Sequence, residues 1–151
     1  MSSALAFVPP LLTRLVIGQA YYQTGAGKIE NFANTASFFG ELGIPFPEAN
    51  AFFVSRLEFW GGLLLVVGLG TRLVAALLSS TMVVALATAD RVAFLDALRG
   101  TSEDGFTGPA LASLVYLMFL LWLVVFGPGW LSLDALLARW LERRARAAPA
   151  A

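Results

Sequence analysis

Four stretches of this 151-residue chain, at about residues 7–26, 51–69, 73–89 and 109–126, are apolar over lengths that reach across a lipid bilayer. A hydrocarbon core of roughly 30 Å requires about 17 to 25 apolar-dominated residues, because a helix rises only 1.5 Å per residue. Composition points the same way: 58% of the residues are hydrophobic and the mean hydropathy is +0.76, whereas soluble domains hold roughly 45–50% apolar residues. The expected fold is one all-α domain over residues 1–151, an integral membrane four-helix bundle.

Punctuation sets the connections. Pro9 and Pro10 suit the opening turn of the first helix, where a missing N–H costs nothing. Only Gly70, Thr71 and Arg72 part the second run from the third, which forces an antiparallel hairpin. Gly108-Pro109 starts the fourth run and Gly127-Pro128-Gly129 stops it. Between the first two runs, Asn31 to Leu42 mixes Phe32, Phe38, Phe39 and Leu42 with polar residues, the pattern of an amphipathic connector or lid, before the extended Gly43 to Pro47 link. Asp90-Arg91 reads as solvated charge ending the third helix, and the connection beyond it is polar around Gly100 to Gly105. Leu131 to Arg146 reads as an amphipathic surface helix, with Ser132 or Asp134 as its cap.

Formal net charge is zero, but the charges are unevenly placed. With four spans, Arg72, Arg139, Arg143, Arg144 and Arg146 share one side with both termini, and Arg14 lies close to it. Basic residues favour the cytoplasmic face, so both termini are expected there. Arg14 and Arg72 are expected to anchor the inner headgroup boundary, together with Trp130 and Trp140. The opening segment lacks the basic region of a cleavable signal. Histidine and cysteine are both absent, which removes the usual haem ligands, thiolate clusters, most zinc chemistry and every thiol relay. No metal site, no cofactor motif and no nucleic-acid partner is expected; the lipid bilayer is.

Glu58 sits near the middle of the second run, with Arg56 two residues before it. An ionised side chain there costs roughly 2.5–3.5 kcal/mol on insertion scales, so it should face protein or a polar cavity. At about 100° per residue, Arg14, Gly18, Tyr21, Gly25 and Lys28 form one stripe of the first helix. The Glu58 face also carries Gly61 and Gly62, whose small size lets another backbone approach. Thr81, Ala85 and Thr88 share a face of the third helix, and Ser113 and Tyr116 share one of the fourth. Arg56, turned by about 200° from Glu58, points elsewhere. Glu58 lies about 10–12 Å below the outer boundary, level with Gln19 to Tyr22 and with Tyr116. The expected site is an outward-opening polar pocket with Glu58 at its floor as candidate proton carrier and Lys28 at its mouth. Gln19, Tyr21, Tyr22, Lys28, Arg56 and Tyr116 are its candidate ligand contacts, and Gly18, Gly25, Gly61 and Gly62 the helix-packing positions. A purely structural carboxylate, satisfied by Lys28, an arginine or tyrosines, is the alternative.

These residues resemble the DoxX family of small four-helix membrane proteins. The matching signals are Arg14, Gly18 and Lys28, the link Leu42-Gly43-Ile44-Pro45, Glu58 with Gly61-Gly62, and Gly68-Leu69-Gly70-Thr71-Arg72, extended by Gly127-Pro128-Gly129 and Ser132-Leu133-Asp134. The resemblance implies a bacterial or archaeal inner-membrane protein linked to quinone or thiosulfate oxidoreduction. Two functions follow as expectations: a quinone-interacting subunit of an oxidoreductase, or a non-enzymatic scaffold or assembly subunit. A small-molecule permease fits less well, since so small a chain would have to oligomerise. Without histidine, cysteine or a cofactor motif, electrons would have to enter from an external partner carrying flavin, metal or thiol.

Overall fold

The computed structural model describes residues 7–101 and 108–147. Among the described residues the backbone forms seven helices and no strand: α1 (Val8–Glu30), α2 (Phe32–Glu41), α3 (Pro47–Val67), α4 (Thr71–Ala87), α5 (Arg91–Arg99), α6 (Gly108–Phe126) and α7 (Leu133–Ala147). Most of the polar stretch up to Gly105, with Glu103 and Asp104, lies outside the described residues, as do the first six residues, the last four and the side chain of Pro109.

Local chemistry explains the boundaries. α1 begins with prolines in its first turn and continues past the expected end at residue 26 to Glu30, with Lys28 in the last turn, where a cation meets the negative end of the helix dipole. α3 starts at Pro47, a turn earlier than expected, and ends on Gly68 at φ 73°. The Gly68 amide bonds the Leu64 carbonyl at 2.9 Å and the Leu69 amide bonds the same carbonyl at 3.0 Å, so a left-handed glycine closes the helix. Gly70, at φ 60°, then opens α4. Two left-handed glycines two positions apart, Gly68 and Gly70, make the hairpin.

α5 is unexpected. The third apolar run breaks after Ala87, and α5 leaves it at 76°. Asp90 is the hinge rather than a solvated end. Its backbone carbonyl accepts the Phe94 amide at 2.8 Å, and its carboxylate accepts the Ser113 hydroxyl of α6 at 2.6 Å.

α1 packs on α3, α3 on α4 and α4 on α6; α2 lies on α3, and the α1–α6 seam closes the ring with the least contact. Glycines set the α1–α3 distance: a side chain at Gly25 would strike the Phe59 backbone, and one at Gly62 the backbones of Tyr22 and Gly18. Gly61 faces the Leu78 side chain of α4. The interior holds Ile17, Tyr21, Leu65, Leu78, Leu120 and Leu123. The exterior is apolar as well, with Val16, Phe53, Trp60, Leu73, Met118 and Val125 all more than half exposed.

By length and composition alone, α3 is the one described helix that passes by itself as membrane-crossing, with mean hydropathy 1.3 and a third of its span buried. α4 and α5 pass only as a bent pair, and α6 is apolar but shorter over Ala110–Phe126. The polar stripe facing protein, from Arg14 to Lys28, is what dilutes the apolar character of α1.

α7 is tied down through its first turn. The Asp134 carboxylate accepts the Gly70 amide at 2.7 Å and the Thr71 amide at 3.0 Å, so it caps α4. Ser132, not Asp134, caps α7 itself, with its hydroxyl accepting the Ala135 amide at 3.1 Å. Arg14 departs from its expected interfacial position. It is 1% exposed, lies against Gly68, and donates to the Leu131 carbonyl at 2.6 Å. A guanidinium on the protein-facing stripe finds the end of α3 and the start of α7 before it can reach headgroups. Arg72 is exposed and donates to the Val125 carbonyl at 3.4 Å. Trp130 and Trp140 are exposed at this end, with the Arg139 and Arg144 guanidinium groups over their rings at 5.8 and 4.0 Å.

Candidate functional site

Glu58 is 1% exposed in the middle of α3. The amphipathic stripes bring it there: Ser55, Glu58, Gly61, Gly62 and Leu65 are all buried together, and Arg14, Gly18, Tyr21 and Gly25 are buried on α1. Lys28, one turn beyond Gly25, reaches down so that its Nζ donates to Glu58 Oε1 at 2.7 Å, with the lysine side chain 27% exposed. A buried carboxylate without such a partner would carry a desolvation cost of several kcal/mol.

The pair forms part of the wall of two chambers. The larger, about 510 Å³, lies between α2, α3 and α4, roofed by Phe38, Phe39 and Leu42 and walled by Phe53, Leu57 and Met82. Most of its polar groups are already committed: Ser80, Thr81 and Thr88 donate to the backbone carbonyls of Leu77, Leu78 and Val84 at 2.6, 2.8 and 2.7 Å. They can accept from a ligand. The Lys28 ammonium, with three N–H donors and one engaged by Glu58, keeps donors to spare, and the Asn34 amide also lines the chamber.

The smaller chamber, about 240 Å³, lies between α1, α4 and α6 and is lined by Tyr21, Thr24, Lys28, Glu58, Ser113 and Tyr116 among others. The Tyr21 and Tyr116 rings meet edge to face with centroids 5.8 Å apart. Two buried atoms here, Glu58 Oε2 and Tyr21 Oη, have no hydrogen-bond partner among the described residues.

The structure thus brings Glu58, Lys28, Tyr21 and Tyr116 together. It does not bring in Tyr22, which is over a third exposed and packs on Phe59 with centroids 4.9 Å apart, nor Gln19, which is exposed and lines neither chamber. Adjacent residues on a helix cannot share a face, and Tyr21 took it. Arg56 also stays out, its guanidinium 3.5 Å from the Phe52 ring centroid, as the rotation away from Glu58 requires. Sequence reasoning missed the Ser113–Asp90 bond; Ser113 stood on the polar face of its helix, but its partner lay beyond an unforeseen bend. No group of acidic residues among those described could hold a metal.

Residues 10–91, from the opening of α1 to the start of α5, match the family model described as DoxX. The chain belongs to the DoxX family. This membrane-associated family assignment covers α1 to α4, the helices that build the larger chamber. A curated DoxX-type relative, "Putative oxidoreductase CatD" of Bacillus subtilis (strain 168), is 33% identical over 78 residues, which is 52% of this chain and 57% of the relative. The match therefore spans little more than half of that relative's length. No solved structure matches.

Proposed function

We infer that this DoxX protein is a membrane-embedded subunit of an oxidoreductase system, with α1, α3, α4 and α6 crossing the bilayer as a four-helix bundle and α2 lying at the surface as a roof. The apolar exterior of the long helices supports that placement, since a soluble bundle would present polar residues there. The observation that carries the functional reading is the Lys28–Glu58 pair, buried at one wall of a mainly apolar chamber of about 510 Å³.

A quinone-type ring fits that chamber chemically. Its carbonyl oxygens need donors, which Lys28 and Asn34 supply, and its faces need apolar walls, which Phe38, Phe39, Phe53 and Leu57 supply. Glu58 would pass a proton to or from the reduced ring, a role that requires approach to about 2.6–3.2 Å. The name of the Bacillus relative, "Putative oxidoreductase CatD", agrees with redox work. Electrons would come from a separate protein partner, since the chain has neither cysteine nor histidine.

A second reading rests on the same ion pair. Lys28–Glu58 ties α1 to α3, which suits a scaffold that docks a redox partner without handling a substrate. Binding of a short-chain quinone to the purified protein in nanodiscs separates the two. The quinone reading expects saturable binding that weakens at least tenfold in Lys28→Met. No binding by the parent protein, with intact recovery of a redox partner, would leave the scaffold.

A further inference from the structure

The α2 chamber does not use all that the Lys28–Glu58 pair presents. Lys28, Glu58 and Met82 line both chambers, so the pair stands between them. Glu58 Oε1 is taken by Lys28, while Glu58 Oε2 is buried and unpartnered. Tyr21 Oη is in the same condition, in a residue 4% exposed that lines the smaller chamber. The neighbouring Thr81 hydroxyl gives its hydrogen to the Leu78 carbonyl at 2.8 Å, so toward the Tyr21 phenol it can act only as an acceptor.

Glu58 and Tyr21, each with a buried side-chain oxygen left unpaired, line a space of about 240 Å³. One water occupies about 30 Å³ of liquid volume and needs two to four polar partners to remain in a protein. The chamber offers more than that, because the Thr24, Ser113 and Tyr116 side chains share its wall with Lys28 and Glu58. Leaving a carboxylate oxygen and a phenol dry would cost about 1–3 kcal/mol for the phenol and more for the charged group.

We propose that the smaller chamber is a water-binding site, whose ordered waters bond Glu58 Oε2 and Tyr21 Oη and connect them to the Asp90 end of the bundle. Ser113 marks the way out, since it lines the chamber and donates to Asp90 Oδ2 at 2.6 Å. Asp90 itself is only half-buried, at the bend between α4 and α5. Resting on the reading of Glu58 as a proton carrier, the waters give Glu58 proton exchange with solvent from the face opposite the ligand. A ligand seated under α2 and the proton supply then need not compete for one opening.

In situ radiolytic hydroxyl labelling of the full chain in nanodiscs tests this, because side chains beside bound water are modified and lipid-facing ones are spared. Tyr21 and Tyr116 are expected to be labelled, while Met118, in the apolar groove between α1 and α6, is spared although its thioether is intrinsically more reactive. Ser113→Leu, which narrows the chamber with an apolar side chain and removes the Ser113–Asp90 bond, should lower Tyr21 labelling at least fivefold. Tyr21 as unlabelled as Met118 in the parent protein would overturn the proposal without any variant, as would equal Tyr21 labelling in a folded Ser113→Leu. Quinone binding is read separately, so a labelled chamber in a protein that binds no quinone would end the functional reading and leave the water site standing.

Discussion

Lys28 Nζ lies 2.7 Å from Glu58 Oε1 and joins the last turn of α1 to the middle of α3 across 30 residues of chain. The two ends of this bond differ: the lysine is partly exposed and the carboxylate is 1% exposed. Removing the lysine therefore strands the more deeply buried charge.

Lys28→Met is expected to destabilise the protein by about 3–5 kcal/mol, the cost typical of breaking a buried pair from one side. The double variant Lys28→Met/Glu58→Met removes both charges and should recover most of that loss. Heat-denaturation midpoints in one detergent, measured for the single and double variants together, check this. A double variant no more stable than Lys28→Met would show that the pair contributes through something other than paired charge.

Two glycines of α1, two residues apart, should respond in opposite directions. A Cβ at Gly25 would collide with the Phe59 backbone, whereas one at Gly27 would meet nothing within 4 Å. Gly25→Ala is therefore expected to cost about 1–3 kcal/mol through forced separation of α1 and α3. Gly27→Ala should gain about 0.5–1 kcal/mol from helix propensity. Equal effects at the two positions, read from the same denaturation midpoints, would contradict the α1–α3 packing.

The helical stripes were legible because a period near 100° per residue depends only on local geometry. Arg14, Gly18, Tyr21 and Gly25 are buried as one face of α1, and Glu58 with Gly61 and Gly62 as one face of α3. What periodicity cannot supply is the far partner. It set Tyr21 on the protein-facing stripe but kept Tyr22 beside it as a candidate on depth alone, and it put Arg14 near headgroups because the Leu131 carbonyl, 117 residues away, leaves no local trace. The α5 bend was hidden for a similar reason. Asp90 reads as an ordinary charged helix end until Ser113 of α6 is seen to bond it.

Asp134 offers a test of how α7 is held. Its carboxylate bonds the first amides of α4 while its own amide donates to the Gly68 carbonyl at 3.0 Å. Asp134→Ala should cost about 0.5–2 kcal/mol, the usual worth of a helix cap. It should also free the first turn of α7 and speed tryptic cleavage at Arg139, Arg143 and Arg144, which are exposed. Unchanged cleavage would mean that the Asp134 amide bond to Gly68 and the Arg14–Leu131 bond hold this end without the carboxylate.

The two ends of the bundle can be assigned to sides of the membrane because the chain has no cysteine of its own. α1 carries Arg14 at the α7 end and Lys28 at the α2 end, and the intervening 14 residues rise about 21 Å in a helix. Exposed residues on α2 and α7 therefore report opposite ends. The arginine-rich α7 is expected on the cytoplasmic side, where basic residues accumulate. A membrane-impermeant maleimide applied to intact cells should then label Glu41→Cys on α2 and leave Arg144→Cys on α7 unmodified until the cells are broken. Labelling of Arg144→Cys in intact cells, with Glu41→Cys protected, would invert the orientation and turn the α2 roof toward the cytoplasm. Labelling of both from outside would mean that the long helices do not cross the bilayer as four spans.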